Sequence, residues 1–141
     1  MSLISHIIKT FEKKNKFSWK TMYISVDIHG TILYPTHNKD ILSTKFYPFA
    51  KETLQILSKR NDITLIMHTS SYANKQLDYL RFFHNNRIDF KYSNINPRVK
   101  NDNIGCYDEK FYIDIGIDDK YGFDAENDWE EIYNLLINNI I

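Results

Sequence analysis

The chain has one cysteine, three prolines and four glycines in 141 residues. A single thiol, Cys106, cannot close an intramolecular disulfide, and it suits a reducing, cytoplasmic compartment. So little glycine and proline excludes collagen-like, low-complexity and long-linker architectures. No apolar run approaches the roughly 20 residues of a membrane span, and five lysines in the first 20 residues do not resemble a secretory leader. A net charge is also missing, because 18 Lys and Arg balance 18 Asp and Glu. That excludes a chain acting as a whole as a polycation or an acidic tail. What remains is ordinary for one globular domain: 43% apolar residues and 26% charged.

The neutral total hides a gradient. Residues 1–60 hold ten basic and four acidic side chains, whereas residues 61–141 hold eight and fourteen. The basic excess is a mild bias toward a phosphorylated small molecule or a nucleic-acid end as partner. Ile4, Ile7, Ile8 and Phe11 recur at helical spacing among lysines, so residues 2–15 read as an amphipathic helix. We treat residues 1–20 as an N-terminal extension that packs on the core or builds a homo-oligomer, and residues 21–141 as a single domain.

Residues 22–28 are rich in β-branched and aromatic side chains and read as a buried strand, followed by a loop over 32–45. Pro48 suits the first turn of a helix reaching Arg60. A strand over 62–68, a helix over 72–84 with Leu77, Leu80 and Phe83 inward, and a short strand over 88–92 follow. After an irregular loop (93–108), a strand over 111–117 leads to a last helix from Asp128 to Ile140. Apolar strands alternating with helices imply an α/β fold: a Rossmann-like three-layer α/β/α sandwich with a mostly parallel sheet.

In such sheets ligands bind beyond the carboxyl ends of the strands. The first strand ends Asp27-Ile28-His29-Gly30-Thr31, the second His68-Thr69-Ser70-Ser71, and the fourth Asp118-Asp119-Lys120 with Lys110 before it. A lone strand-end acid plus an acid pair makes a nest for Mg²⁺, since hard cations take carboxylate oxygens. Hydroxyls and a lysine nearby would neutralise a phosphate.

Asp27-Ile28-His29-Gly30-Thr31 resembles the Asp-x-Asp-Gly-Thr signature of the haloacid dehalogenase superfamily of phosphotransferases. Thr69 after an apolar strand, Lys110, and the Ile117-Asp118-Asp119 strand end are similar to its remaining motifs, in order, over about residues 22–137. The closing run Gly122-Phe123-Asp124, Asp128-Trp129, Ile132-Tyr133 is similar to small capless hydrolases of bacteria and phages. The resemblance implies a Mg²⁺-dependent phosphatase with no large cap domain, which acts through an aspartyl phosphate on a nucleotide, a sugar phosphate or a nucleic-acid end. Asp27 would then be the nucleophile. Asp118, Asp119, Asp27 and the backbone carbonyl of His29 would hold the metal. Thr69 would bind the phosphoryl oxygens, with Ser70 its rival, and Gly30 and Thr31 would shape the loop around them. Lys110 would orient Asp27 and offset charge, with Lys100 and Lys120 as alternatives.

His29 departs from that pattern, because phosphatases of the superfamily carry a second aspartate there as general acid and base. Imidazole can do that work near neutral pH. The alternative is a catalytically degenerate module that binds a phosphorylated ligand or a protein partner without turnover. Another register would end the fourth strand at Asp114 and make it the metal ligand. His68, Trp129 and Tyr133 read as mouth-lining or packing residues, and Cys106 as incidental.

Overall fold

β1 (Met22–Asp27) stands inside a four-stranded sheet of order β3-β2-β1-β4, with β2 (Ile63–His68), β3 (Tyr92–Ser93) and β4 (Ile115–Ile117). The computed structural model describes residues 2–38 and 40–141. Lys39, in the expected 32–45 loop, lies outside them. All pairings are parallel, and β1 runs beside β2 from Met22↔Ile63 to Asp27↔His68. The carboxyl ends therefore share one edge, where Asp27 and the residues after Ile117 and His68 meet.

Side chains alternate across the sheet. On one face Ile24, Ile115 and Ile117 pack against Ile7 and Phe11 of α1 (Leu3–Lys16), Leu57 of α2 (Ala50–Lys59) and Ile132 of α4 (Asp128–Ile137). α3 (Ala73–Asn85) adds Tyr79 and Phe83 to the same core. The opposite face is covered by the connection between β3 and β4. Arg98 donates to the hydroxyls of Thr64 and Tyr92, Tyr112 meets Tyr23 edge-on at 6.1 Å, and Ile113 lies over Gly116. The result is a Rossmann-like, three-layer α/β fold whose third layer is an irregular segment. No helix among the described residues is long and apolar enough to cross a membrane.

One expectation holds here and four need correction. The N-terminal helix packs on the core, one of the two roles expected of it: Ile7 and Phe11 are core residues and Lys14 pairs with Asp62 just before β2. The third strand is only Tyr92–Ser93, since Ile88 and Phe90 fold under α3, with Phe90 edge-on to Phe83 at 5.1 Å. The fourth strand begins at Ile115, not residue 111: the Tyr23 N–H that would extend the ladder donates to the Asp114 carboxylate at 2.8 Å. In α3 Tyr79 points inward while Leu77 is exposed, so the apolar stripe is rotated from the expected one. Phe49, at φ +64°, also turns the chain sharply before α2, so Pro48 precedes the helix and does not open it.

Candidate active site

Asp27 ends β1, and Asp118 and Asp119 follow β4, its neighbour in the sheet. One carboxylate oxygen from each lies within 4.8 Å of the other two. Thr31 sits in the middle, fully buried. Its hydroxyl lies 3.1 Å from both Asp27 Oδ2 and Asp119 Oδ1, and it accepts the Asp119 N–H at 3.0 Å. The single hydroxyl proton is shared between two acids. Gly30, at φ +79°, is required here, because a Cβ would stand 2.8 Å from Asp119 Oδ2. The Trp129 indole N–H donates to the Thr31 carbonyl at 2.7 Å and fixes this turn to α4.

Among the described residues no lysine, arginine or histidine forms an ion pair with any of these three acids. Burial, and next the negative charge of Asp118, push the Asp27 carboxyl up to about 6, against hydrogen bonds from Thr31 and the Ile28 amide that pull the other way. An uncompensated trio of carboxylates at this spacing fits a hard divalent cation such as Mg²⁺. Asp118 also accepts the Lys120 N–H and caps the 3₁₀ turn Asp119–Tyr121. Asp114 is excluded as the alternative ligand: its two oxygens take the Tyr23 N–H and the Tyr112 hydroxyl.

Thr31→Val keeps the shape and removes the hydroxyl that spans two of the ligands. We expect Mg²⁺ affinity, measured by calorimetry at pH 7.5, to fall by about 10-fold, in the range typical of groups that orient metal ligands. An unchanged affinity would mean that Thr31 only packs.

The residues after β2 are held differently. A reciprocal amide pair locks Thr69, whose N–H donates to Asn94 Oδ1 and whose carbonyl accepts from Asn94 Nδ2. The Thr69 hydroxyl donates to Ser71 Oγ and accepts the Ser71 N–H, which turns the chain into α3. It is therefore engaged locally. Ser70, its rival, lines an open cavity of about 570 Å³ together with His29, Ser71, Lys75 and Tyr79. His68 meets Phe111 edge-on at 5.4 Å and is exposed, outside the lining of this cavity. Trp129 and Tyr133 pack on Phe123 and Phe49, as expected of core residues.

Lys110 is exposed, and it neither lines this cavity nor pairs with an acid. Lys75 was missed from the sequence, although it lies in the first turn of the helix that begins just after Ser70-Ser71. A strand end that runs straight into a helix carries the next turn's side chains to the same edge, and that was the available signal.

No family model and no curated protein matches the chain. Among solved structures it resembles a conserved protein from Bacteroides thetaiotaomicron, at 24% identity over 84% of this chain and 92% of that one, with a TM-score of 0.62. The likeness establishes the α/β fold.

His29 is held by a chain of hydrogen bonds through Tyr79 to Ser43. The Ser43 N–H donates to the Tyr79 hydroxyl at 3.2 Å, and that hydroxyl lies 2.8 Å from His29 Nε2. The Tyr79 oxygen accepts from Ser43, so its own proton can be given to Nε2, which places the imidazole proton on Nδ1; the other tautomer has Nε2–H donating to the same oxygen. Burial lowers the His29 pKa, in keeping with a neutral ring. In ¹⁵N spectra of the imidazole at pH 7.5, His29 should show the Nδ1–H tautomer, and Tyr79→Phe should shift it toward Nε2–H. Identical spectra for the two proteins would refute this orientation.

Proposed function

We propose that the chain is a Mg²⁺-dependent phosphohydrolase of the haloacid dehalogenase kind, acting through an aspartyl phosphate on Asp27. The observation that carries this reading is the convergence of Asp27, Asp118 and Asp119 at the ends of adjacent parallel strands, with no basic partner to neutralise them. Their oxygens, with the His29 carbonyl, would hold the cation, which when bound supplies charge neutralisation at the phosphoryl oxygens. An Asp27 oxygen attacks phosphorus and the ester P–O bond breaks, so the phosphoryl group passes to Asp27 and the departing oxygen takes up a proton. Water then attacks the acyl phosphate, releasing inorganic phosphate and restoring the carboxylate.

His29 lines the cavity that adjoins this cluster. In the tautomer whose Nε2 accepts from Tyr79, the Nδ1–H of the neutral ring can hydrogen-bond a leaving oxygen but is a poor proton donor. Aryl phosphates, whose phenoxide leaves readily without a proton, are therefore the substrates on which activity should be visible.

The same tie to Tyr79 favours a second reading, a phosphate-binding module without turnover. The two are separated by assaying an aryl phosphate with Mg²⁺ before and after His29→Asp. Turnover by the natural chain that chelator abolishes supports the hydrolase. Turnover gained only in His29→Asp, at least 100-fold above the natural chain, supports the degenerate module. No turnover in either protein, with no Mg²⁺ binding by calorimetry, defeats both.

A further inference from the structure

The three acids account for a phosphoryl group and leave the adjoining cavity unassigned. At about 570 Å³ it is of the size that takes drug-sized or nucleoside-sized ligands and is far larger than a phosphate needs. Its lining is divided by chemistry. Pro35, Ile41 and Leu42 supply apolar surface, with Thr36 and Asn38 between them, and Ser70, Ser71 and Lys75 supply polar groups at the end of β2 and the start of α3. Lys75 is the only lysine, arginine or carboxylate on that lining among the described residues, and it pairs with no acid. Ile41 is 58% exposed and Tyr72, also on the lining, is 85% exposed. Two large apolar groups left to water at the rim of one cavity are what a ring-bearing ligand would cover.

His29 joins the two regions, since it lies two residues after Asp27 and lines the cavity itself. Resting on the phosphohydrolase reading, we propose that this cavity holds the alcohol half of the substrate. That half is a ring system of nucleoside size carrying a second anionic group, which Lys75 recognises. Lys75 is then a specificity-determining residue, and the substrate class is a phosphomonoester with an anion at each end. A lysine used this way acts as a point charge on an anionic group, and a hydrogen bond to a charged group is about twice as strong as a neutral one. Loss of one such contact changes affinity by about 10-fold or more.

The probes are adenosine 5′-monophosphate and adenosine 3′,5′-bisphosphate, which share a ring and a 5′-phosphate and differ by one anionic group. Dissociation constants are measured by calorimetry with Mg²⁺ on the full chain, Lys75→Met and Lys75→Arg, alongside hydrolysis of an aryl phosphate. The natural chain is expected to bind the bisphosphate at least 10-fold more tightly than the monophosphate. Lys75→Met should bring that ratio close to one, and Lys75→Arg should retain most of it. A ratio near one in the natural chain, or a ratio unmoved by Lys75→Met, overturns the proposal even if the aryl phosphate is hydrolysed. The expected ratios with no hydrolysis uphold the cavity assignment and sink the hydrolase reading instead.

Discussion

If the proposed function holds, Asp27→Asn with Mg²⁺ present should hydrolyse an aryl phosphate at least 10³-fold more slowly than the natural chain, and without the metal it should melt at a higher temperature. The first effect would follow from removing the proposed nucleophile, because a carboxamide cannot carry the phosphoryl group between two displacements. The second follows from the electrostatics of the empty-handed cluster. The folded protein holds the Asp27 carboxyl at about 6, above its ordinary value of 3.8. The folded state therefore binds more protons than the unfolded chain between those values. The Asp27 contribution to metal-free stability is therefore greatest below about pH 4, falls as pH rises from about 4 to about 6, and is flat beyond. The raised pKa corresponds to roughly 3 kcal/mol, and solvent screening at a half-exposed carboxyl brings this to about 1–2 kcal/mol. Asparagine escapes that penalty, so thermal melts from pH 4 to 8 should lose this part of their slope. A variant that is inactive and also less stable at pH 7.5 would show that Asp27 is a structural acid, satisfied where it stands.

Trp129→Ala is expected to cost about 3–5 kcal/mol, the largest loss among single core changes here. The indole is fully buried, packs edge-on against Phe123 at 4.9 Å, and donates to the Thr31 carbonyl at 2.7 Å. The Trp129 carbonyl in turn accepts from the buried Thr53 hydroxyl on α2. Truncation therefore opens a cavity and leaves the Thr31 carbonyl without its partner. Urea unfolding should report the destabilisation. Trp129→Phe, which keeps most of the volume and loses the N–H, should cost about 1–3 kcal/mol and weaken Mg²⁺ binding through the same turn. If the phenylalanine variant binds the metal as tightly as the natural chain, the indole supports the core alone.

The strands and helices were legible where apolar spacing is strong, as at Met22–Asp27 and Ile63–His68, because a fully buried parallel strand is almost all apolar. The three acids were legible because parallel strands bring their carboxyl ends to one edge whatever lies between them in sequence. Two things were hidden. Side chains that substitute for backbone, such as the Asp114 carboxylate on the Tyr23 N–H, cut a strand short without changing its composition. And Lys110 stood at a familiar distance from Asp118, yet sequence distance through the irregular loop does not fix where a side chain points. Lys75 and Tyr79 were brought to the cavity by helical phase, and a stripe read through Leu77 obscured it.

The layer that covers the second face of the sheet has a further consequence. β4 is three residues long and carries Asp118 and Asp119 at its end. Across that face its approach is tied by side chains: the Asn96 amide on the Tyr112 carbonyl at 2.9 Å, and Asp114 on Tyr23 and Tyr112. A segment secured by so short a ladder is a low-energy opening unit, which should exchange its amide hydrogens well before β1 and β2 do. Because the two acids it carries are ligands in the proposed site, cation binding and closure of this edge are thermodynamically linked. Mg²⁺ should slow exchange at Ile115–Asp119 more than at Ile63–His68, and the metal then finishes the folding of the strand that presents it.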